Sequence, residues 1–196
     1  LSLHTLKAIV FDLDNTLVSS NINFTLLRQQ LNCPQDCDLL MHLEQFGDQE
    51  QQRLSNIIRD HEIQDAAASS LMPGAKELIH WLTQQGYFIG VITRNCRSAA
   101  TTKILAHQLP IESLLTREEF APKPAPDSLY HLMNKWQLNP QEILYVGDHY
   151  YDIETAINAN CQSCFISNGL SESNAPSQAN FSYPTLLGLL NSLKVC

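Results

Sequence analysis

Positive charge is scarce in this sequence. Twelve lysines and arginines stand against twenty aspartates and glutamates, a formal net charge of −8. No basic stripe offsets that balance. An acidic surface repels a phosphate backbone, so nucleic acid is excluded as a main partner. Long apolar runs are missing as well, and no stretch approaches the roughly 20 residues that cross a bilayer, so no membrane role is expected. The opening LSLHTLK has no basic segment followed by an apolar run and a small-residue cleavage site. The expected compartment is therefore cytoplasmic. Paired cysteine motifs are lacking too. Cysteines occur at 33, 37, 96, 161, 164 and 196, and Cys161-Gln162-Ser163-Cys164 is a lone CxxC without a second pair or suitably spaced histidines. All are read as reduced, mostly buried thiols, Cys96 included. Internal repeats are absent.

What is present is a chain of 196 residues, enough for one core plus a small insert. Residues 19–71 show no strand pattern. Phe24, Leu27 and Leu31 suit one amphipathic helix; Leu39, Leu40, Leu43 and Phe46 a second; Leu54, Ile57 and Ile58 a third. From Met72 onward, strands alternate with helices. Pro73-Gly74 opens a helix with Ala75, Leu78, Ile79 and Leu82 on its apolar face. Strands are expected at 87–93, 114–116, 143–146 and 163–166. Helices are expected at 98–107, 125–136 and 150–160, with a last one from Pro184. Residues 167–180 read as loop. Such alternation implies α/β architecture: a doubly wound parallel sheet with a small all-helical cap inserted after the first strand. The expected division is a core of 1–18 plus 72–196 and a cap of 19–71.

Ligands of open parallel sheets bind at the carboxyl ends of the strands. Four chemistry-bearing stretches fall there. In FDLDNTL, Asp12 and Asp14 follow the apolar run Ala8-Ile9-Val10-Phe11; in VITRN, Thr93 ends a strand; in APKPAPD, prolines flank Lys123; in VGDHYYD, Asp148 and Asp152 follow ILYV. Any one stretch alone has an ordinary explanation, such as an Asx turn for Asp12-Leu13-Asp14 or a helix-dipole role for Asp152. Together they bring several carboxylates to one crevice, and such groups repel unless a cation joins them. A hard ion such as Mg²⁺ takes carboxylate oxygens, keeps waters and binds phosphate; Asp12 and Asp148 are the natural ligands, with Asp14 offering its backbone carbonyl. Lys123 adds positive charge. The Thr93 hydroxyl and the loop amides near Arg94 and Asn95 can donate to a phosphoryl group. One carboxylate can accept that group while another moves protons.

As an ordered set, these stretches resemble the four motifs of the haloacid-dehalogenase superfamily of hydrolases, phosphoglycolate-phosphatase-like branch. The resemblance covers residues 1–18 and 72 to about 170, and the helical segment between resembles the cap of many members. It implies Asp12 as nucleophile, Asp14 as general acid/base, Thr93 as the phosphate-binding hydroxyl and Lys123 as the group that steadies nucleophile and phosphate. It implies Asp148 as metal ligand and Asp152 at or just outside the metal shell. An aspartate at position 14 points to phosphoryl rather than carbon–halogen chemistry. Asn15 stands where glycine is frequent, and Arg94-Asn95 departs from the commonest second motif.

The resulting expectation is a Mg²⁺-dependent phosphatase acting on a small phosphorylated metabolite through an aspartyl-phosphate. A phosphomutase on the same fold, a receiver-like phosphorylation switch and a non-catalytic binding protein are the alternatives. Residues 19–71 carry eight acids and three arginines, a net −5. Most of those acids are expected to face water, and any that face the site would favour a substrate whose remainder is neutral or cationic.

Overall fold

A computed structural model describes residues 3–169 and 176–195. The run Ala8-Ile9-Val10-Phe11 forms β1 (Ala8–Phe11), buried along its whole length. It lies inside a parallel sheet completed by β2 (Phe88–Ile92), β3 (Ser113–Leu115), β4 (Ile143–Gly147), β5 (Gln162–Ile166) and β6 (Phe181–Tyr183). The order is β3-β2-β1-β4-β5-β6, and every pairing is parallel. Strand order thus reverses between β1 and β4, which opens a crevice at their carboxyl ends. Their register pairs Phe11 with Val146, so the residues that follow emerge side by side.

Side chains alternate across the sheet because successive Cβ atoms point to opposite faces. Ile9 and Phe11 of β1, with Leu144 and Val146 of β4, pack under α4 (Ala75–Gln84), α5 (Arg97–Ala106) and α8 (Leu186–Val195). Ala8, Val10, Ile143 and Tyr145 face the other way, toward α6 (Asp127–Trp136) and α7 (Tyr150–Asn158). Helices therefore cover both faces, as the alternating pattern implies. Gly74 and Gly86 flank α4 with φ of +85° and +76°, a backbone that glycine adopts without strain.

Residues 19–71 contain α1 (Phe24–Leu31), α2 (Leu39–Leu43) and α3 (Asp48–Ala68). They bury a cluster of their own, built on Leu27, Leu31, Cys33, Leu43, Leu54 and Ile58. Both ends of this insert meet at one place: Val18 bridges Leu71, and the Ser19 N–H donates to the Ser70 carbonyl at 2.7 Å.

Three details correct the sequence reading. β6 falls just after what read as loop, in residues given no element; its three residues, between Asn180 and Pro184, are too few to show a period. Part of that loop, 170–175, lies outside the described residues. Phe24 opens α1 but stands on the cleft wall, 56% exposed, so the buried stripe rests on Leu27 and Leu31. Phe46 lies beyond α2 and packs on its cluster from the following turn.

Two glycines give a packing test. A Cβ on Gly90 of β2 would stand 2.9 Å from the Trp136 ring and 3.1 Å from Leu132, whereas one on Gly47 would meet nothing within 4 Å. Gly90→Ala is expected to cost about 1–3 kcal/mol, and Gly47→Ala, which meets no clash but replaces the N-cap of α3, at most about 1 kcal/mol. Urea unfolding of the two variants checks the contrast; equal midpoints would contradict the packing of α6 on β2.

Candidate active site

The crevice between β1 and β4 holds the expected acids. The Asp12 N–H continues the ladder by donating to the Val146 carbonyl at 2.8 Å. The chain then turns sharply: Asn15 adopts φ +58°, and its N–H donates to the Val18 carbonyl at 2.6 Å. Asparagine tolerates this left-handed backbone, which explains how it stands where glycine is frequent. The turn sends Asp12 and Asp14 in different directions.

Asp12 is 7% exposed, and its Oδ1 accepts from Lys123 Nζ at 2.5 Å. The same ammonium donates to Asp152 Oδ1 at 2.6 Å. Asp152 also accepts the His149 N–H at 3.0 Å, within the capping box of α7. Carboxylate oxygens of Asp12, Asp148 and Asp152 lie within 4.8 Å of one another. Thr16 Oγ1 sits 3.2 Å from Asp148 Oδ1 and 3.5 Å from Asp12 Oδ2, so a hydroxyl the sequence reading left out orients two of the three. Gly147 allows this crowding, because a Cβ there would stand 2.2 Å from the Asp152 carboxylate.

One ammonium faces three carboxylates, and the titrations reflect the imbalance. Burial, then the neighbouring carboxylates, push Asp12 well above the usual range against the pull of Lys123. Burial and Asp152 push Asp148 up to about 6. Burial works against the Lys123 charge, but Asp12 and Asp152 outweigh it and hold the ammonium well above its ordinary value. The donor set is all oxygen, anionic and short of positive charge, which fits a hard divalent cation.

Asp14 stands in a different environment. Its Oδ1 accepts from Lys103 Nζ at 2.5 Å and its Oδ2 from Asn95 Nδ2 at 2.8 Å. Its carboxylate is outside the group of three, and only the backbone carbonyl remains as its expected contribution to a metal. Thr93 is buried at the end of β2, where its Oγ1 accepts the Asn95 N–H at 3.1 Å. The Arg94 side chain is turned to the helical insert. It donates both ways to Asp38 at 2.7 Å and lies 4.8 Å over the Tyr151 ring, whose hydroxyl also donates to Asp38.

Sequence reasoning missed Lys103. This lysine is fully buried on α5, between Asp14 and Asp65 Oδ2 at 2.7 Å. A signal existed: Lys103 shares the buried stripe of Ala99, Ala100 and Ile104. Asp65 and Glu62 likewise fall on the stripe of Leu54, Ile58 and Ala66. Glu62 accepts from Arg117 at 2.5 Å and from the Cys96 N–H at 3.0 Å. Most of the insert's acids face water as expected, Asp36, Glu44, Asp48 and Asp60 among them, whereas Asp38, Glu62 and Asp65 are paired with Arg94, Arg117 and Lys103 of the core. Cys96 is fully buried and burial raises its thiol, so it is the structural thiol expected.

A cleft of about 490 Å³ runs from these groups into the insert. Asp12, Asp14, Thr93, Lys123 and Asp148 line its floor; Ile22, Phe24, Leu27, Leu39, Leu40 and Ile58 give it an apolar wall. Among the described residues, no helix is long and apolar enough to cross a membrane.

A family profile described as haloacid dehalogenase-like hydrolase matches residues 26–166. A haloacid dehalogenase-like hydrolase domain-containing protein of Arabidopsis thaliana is 32% identical over 158 residues, 75% of this chain and 64% of its own length. A phosphoglycolate phosphatase of Mannheimia succiniciproducens is 34% identical over 105 residues, 52% of this chain and 46% of its own. The chain thus spans about two thirds and about half of these curated relatives. A solved hydrolase from Pseudomonas syringae has the same fold, with a TM-score of 0.82 at 23% identity over 96% of this chain and 98% of that one.

The buried Lys103–Asp65 pair makes a pH prediction. Burial pushes Asp65 up, but Lys103, the Asn21 N–H and the Ser20 hydroxyl outweigh it and leave its carboxyl below the usual range. A lowered folded value stabilises above the unfolded value of about 3.9, and that stability is lost as pH falls through the folded one. Asp65→Asn is expected to destabilise by about 1.5–3 kcal/mol near neutrality, since Lys103 keeps Asp14 as a partner, with the deficit shrinking below about pH 4. Urea melts of both proteins from neutrality into acid test this; a deficit independent of pH would refute it.

Proposed function

The chain belongs to the haloacid dehalogenase-like hydrolase family, and we propose that it is a phosphatase that hydrolyses a small phosphomonoester through a phosphorylated Asp12. The observation that carries this reading is the contrast between two carboxylates on one turn. Asp12 lies among Lys123, Asp148 and Asp152, whereas Asp14 is held apart by Lys103 and Asn95. Titratable groups in such different settings are suited to different tasks.

In the first step an Asp12 carboxylate oxygen attacks phosphorus. The P–O bond to the leaving group breaks, and Asp14 gives the departing alkoxide its proton. In the second step Asp14 takes a proton from water as the water oxygen attacks phosphorus. Inorganic phosphate leaves and the Asp12 carboxylate is restored. Lys123 holds Asp12 in place and offsets charge on the phosphoryl oxygens. The Thr93 hydroxyl, oriented by the Asn95 N–H that it accepts, and the Arg94 amide supply hydrogen bonds to those oxygens. Asp12 and Asp148 with the Asp14 carbonyl would hold Mg²⁺, and Asp152 would orient that set through Lys123 and His149. The bound ion supplies charge neutralisation for nucleophile and phosphate.

The helical insert would act as a cap over the cleft, and its charge no longer argues for a cationic substrate. Three of its acids are already matched by core cations. Specificity is proposed to turn on Arg94 instead, the cation that Asp38 occupies at the cleft wall. A substrate with a carboxylate on its remainder would compete with Asp38 for it.

Phosphate release from an aryl phosphate and a panel of small phosphoesters tests the reaction. Turnover is expected with Mg²⁺, none with chelator, none from Asp12→Asn, and a fall of roughly 10²–10⁴ in Asp14→Asn. Repeated turnover by Asp12→Asn would exclude the phosphorylated intermediate. On the same panel, Asp38→Asn should lower KM for carboxylate-bearing phosphoesters relative to neutral ones. An unchanged ratio would remove Arg94 from substrate selection.

A further inference from the structure

One cluster of reactive side chains has no part in that chemistry. Cys33 follows α1, Cys37 precedes α2, and His42 lies on α2. Their two sulfurs and one ring nitrogen lie within 4.8 Å of one another. Cys33 and His42 are buried, 7% and 6% exposed, while Cys37 is half-buried and lines the cleft. Both cysteines are free thiols.

His42 supplies a second, independent observation. Its Nε2 lies 3.1 Å from the Leu31 carbonyl oxygen. A carbonyl can only accept, so Nε2 carries the ring proton and Nδ1 is a bare lone pair. Nδ1 is buried and has no hydrogen-bond partner, one of two such side-chain atoms among the described residues. An imidazole whose N–H is tied to a backbone carbonyl, with its other nitrogen bare, is the arrangement in which histidine ligates a metal.

We propose that Cys33, Cys37 and His42 form a Zn²⁺ site in the helical insert, made of two thiolates and the bare His42 nitrogen, with a fourth position open toward the cleft. Thiolate and imidazole are soft and borderline ligands that select zinc over the hard cation suited to the aspartates, so the two sites sort their metals by donor type. Binding forms two Zn–S bonds and one Zn–N bond and releases the thiol protons to solvent. Arg28 pre-forms the loop that carries both sulfurs. Its guanidinium donates to the Pro34 carbonyl at 2.6 Å and the Cys37 carbonyl at 2.7 Å, and lies 3.3 Å from Cys33 Sγ. Cys37 adjoins Asp38, so an ion here would also stiffen the residue that grips Arg94.

The test uses the full chain, stripped with chelator and reduced with a phosphine. Titrated Co²⁺ should give thiolate charge-transfer absorption and tetrahedral d–d bands that saturate at one equivalent, and Zn²⁺ should displace it. Zn²⁺ should also protect Cys33 and Cys37 from alkylation, read by peptide mass. Cys33→Ser, Cys37→Ser and His42→Gln should each weaken Zn²⁺ by more than roughly 100-fold, beyond the 10–100-fold typical of losing an outer-shell partner. Asp12→Asn should leave Zn²⁺ affinity unchanged. The wild-type cobalt spectrum needs no variant: absence of a thiolate band overturns the proposal. So does Zn²⁺ binding that survives Cys33→Ser and is lost in Asp12→Asn, which would put the ion on the cleft aspartates.

Discussion

The site depends on one ammonium buried among carboxylates. Lys123 Nζ reaches both Asp12 and Asp152, and so ties the end of β1 to the first turn of α7. Removing charges from water costs several kcal/mol per ion, and only close, well-directed partners offset it. The sheet supplies the geometry. Adjacent parallel strands end in register, Gly147 leaves room for the Asp152 carboxylate, and Tyr145 under the lysine completes the floor. The remaining excess of negative charge is what suits the crevice to a divalent ion and a phosphoryl group.

The helical insert docks by the same kind of interaction. Its own apolar cluster is separate from the sheet core, and the apolar contact it shares with α5 is small: Ala66 against Cys96 and Ala99. Around that contact stand three ion pairs, Asp38 with Arg94, Glu62 with Arg117 and Asp65 with Lys103. Lys103 joins docking to chemistry, since its other partner is Asp14. The geometry that positions a proton-transfer candidate is therefore also the geometry that seats the insert.

Much of this was legible in the sequence, for identifiable reasons. A fully apolar run that ends in Asp-Leu-Asp reads as a buried strand delivering acids to an edge once three further motifs follow in order, and alternation of strand and helix orders such edges along one side of a sheet. What escaped was pairing over long sequence distance. An acid of α3 reads as solvated until Lys103, thirty-eight residues on, is seen on the opposing stripe. Cys33 and Cys37 read as inert until the turn into α2 brings His42 beside them. β6 has three residues and too little pattern to distinguish it from the loop before it.

The two ends of the insert leave the sheet side by side, joined by the Val18–Leu71 bridge and the Ser19–Ser70 contacts. A segment whose entrance and exit coincide can grow, shrink or be exchanged without moving any strand. The junction does not limit such exchange; Lys103 does. It is fully buried on the core side of the join and shared between Asp65 and Asp14, so a replacement segment without an acid opposite it would leave Lys103 to Asp14 alone of those two. The same replacement would have to answer Arg94 and Arg117, which Asp38 and Glu62 now meet, so exchange at this junction is constrained by charge rather than by chain path.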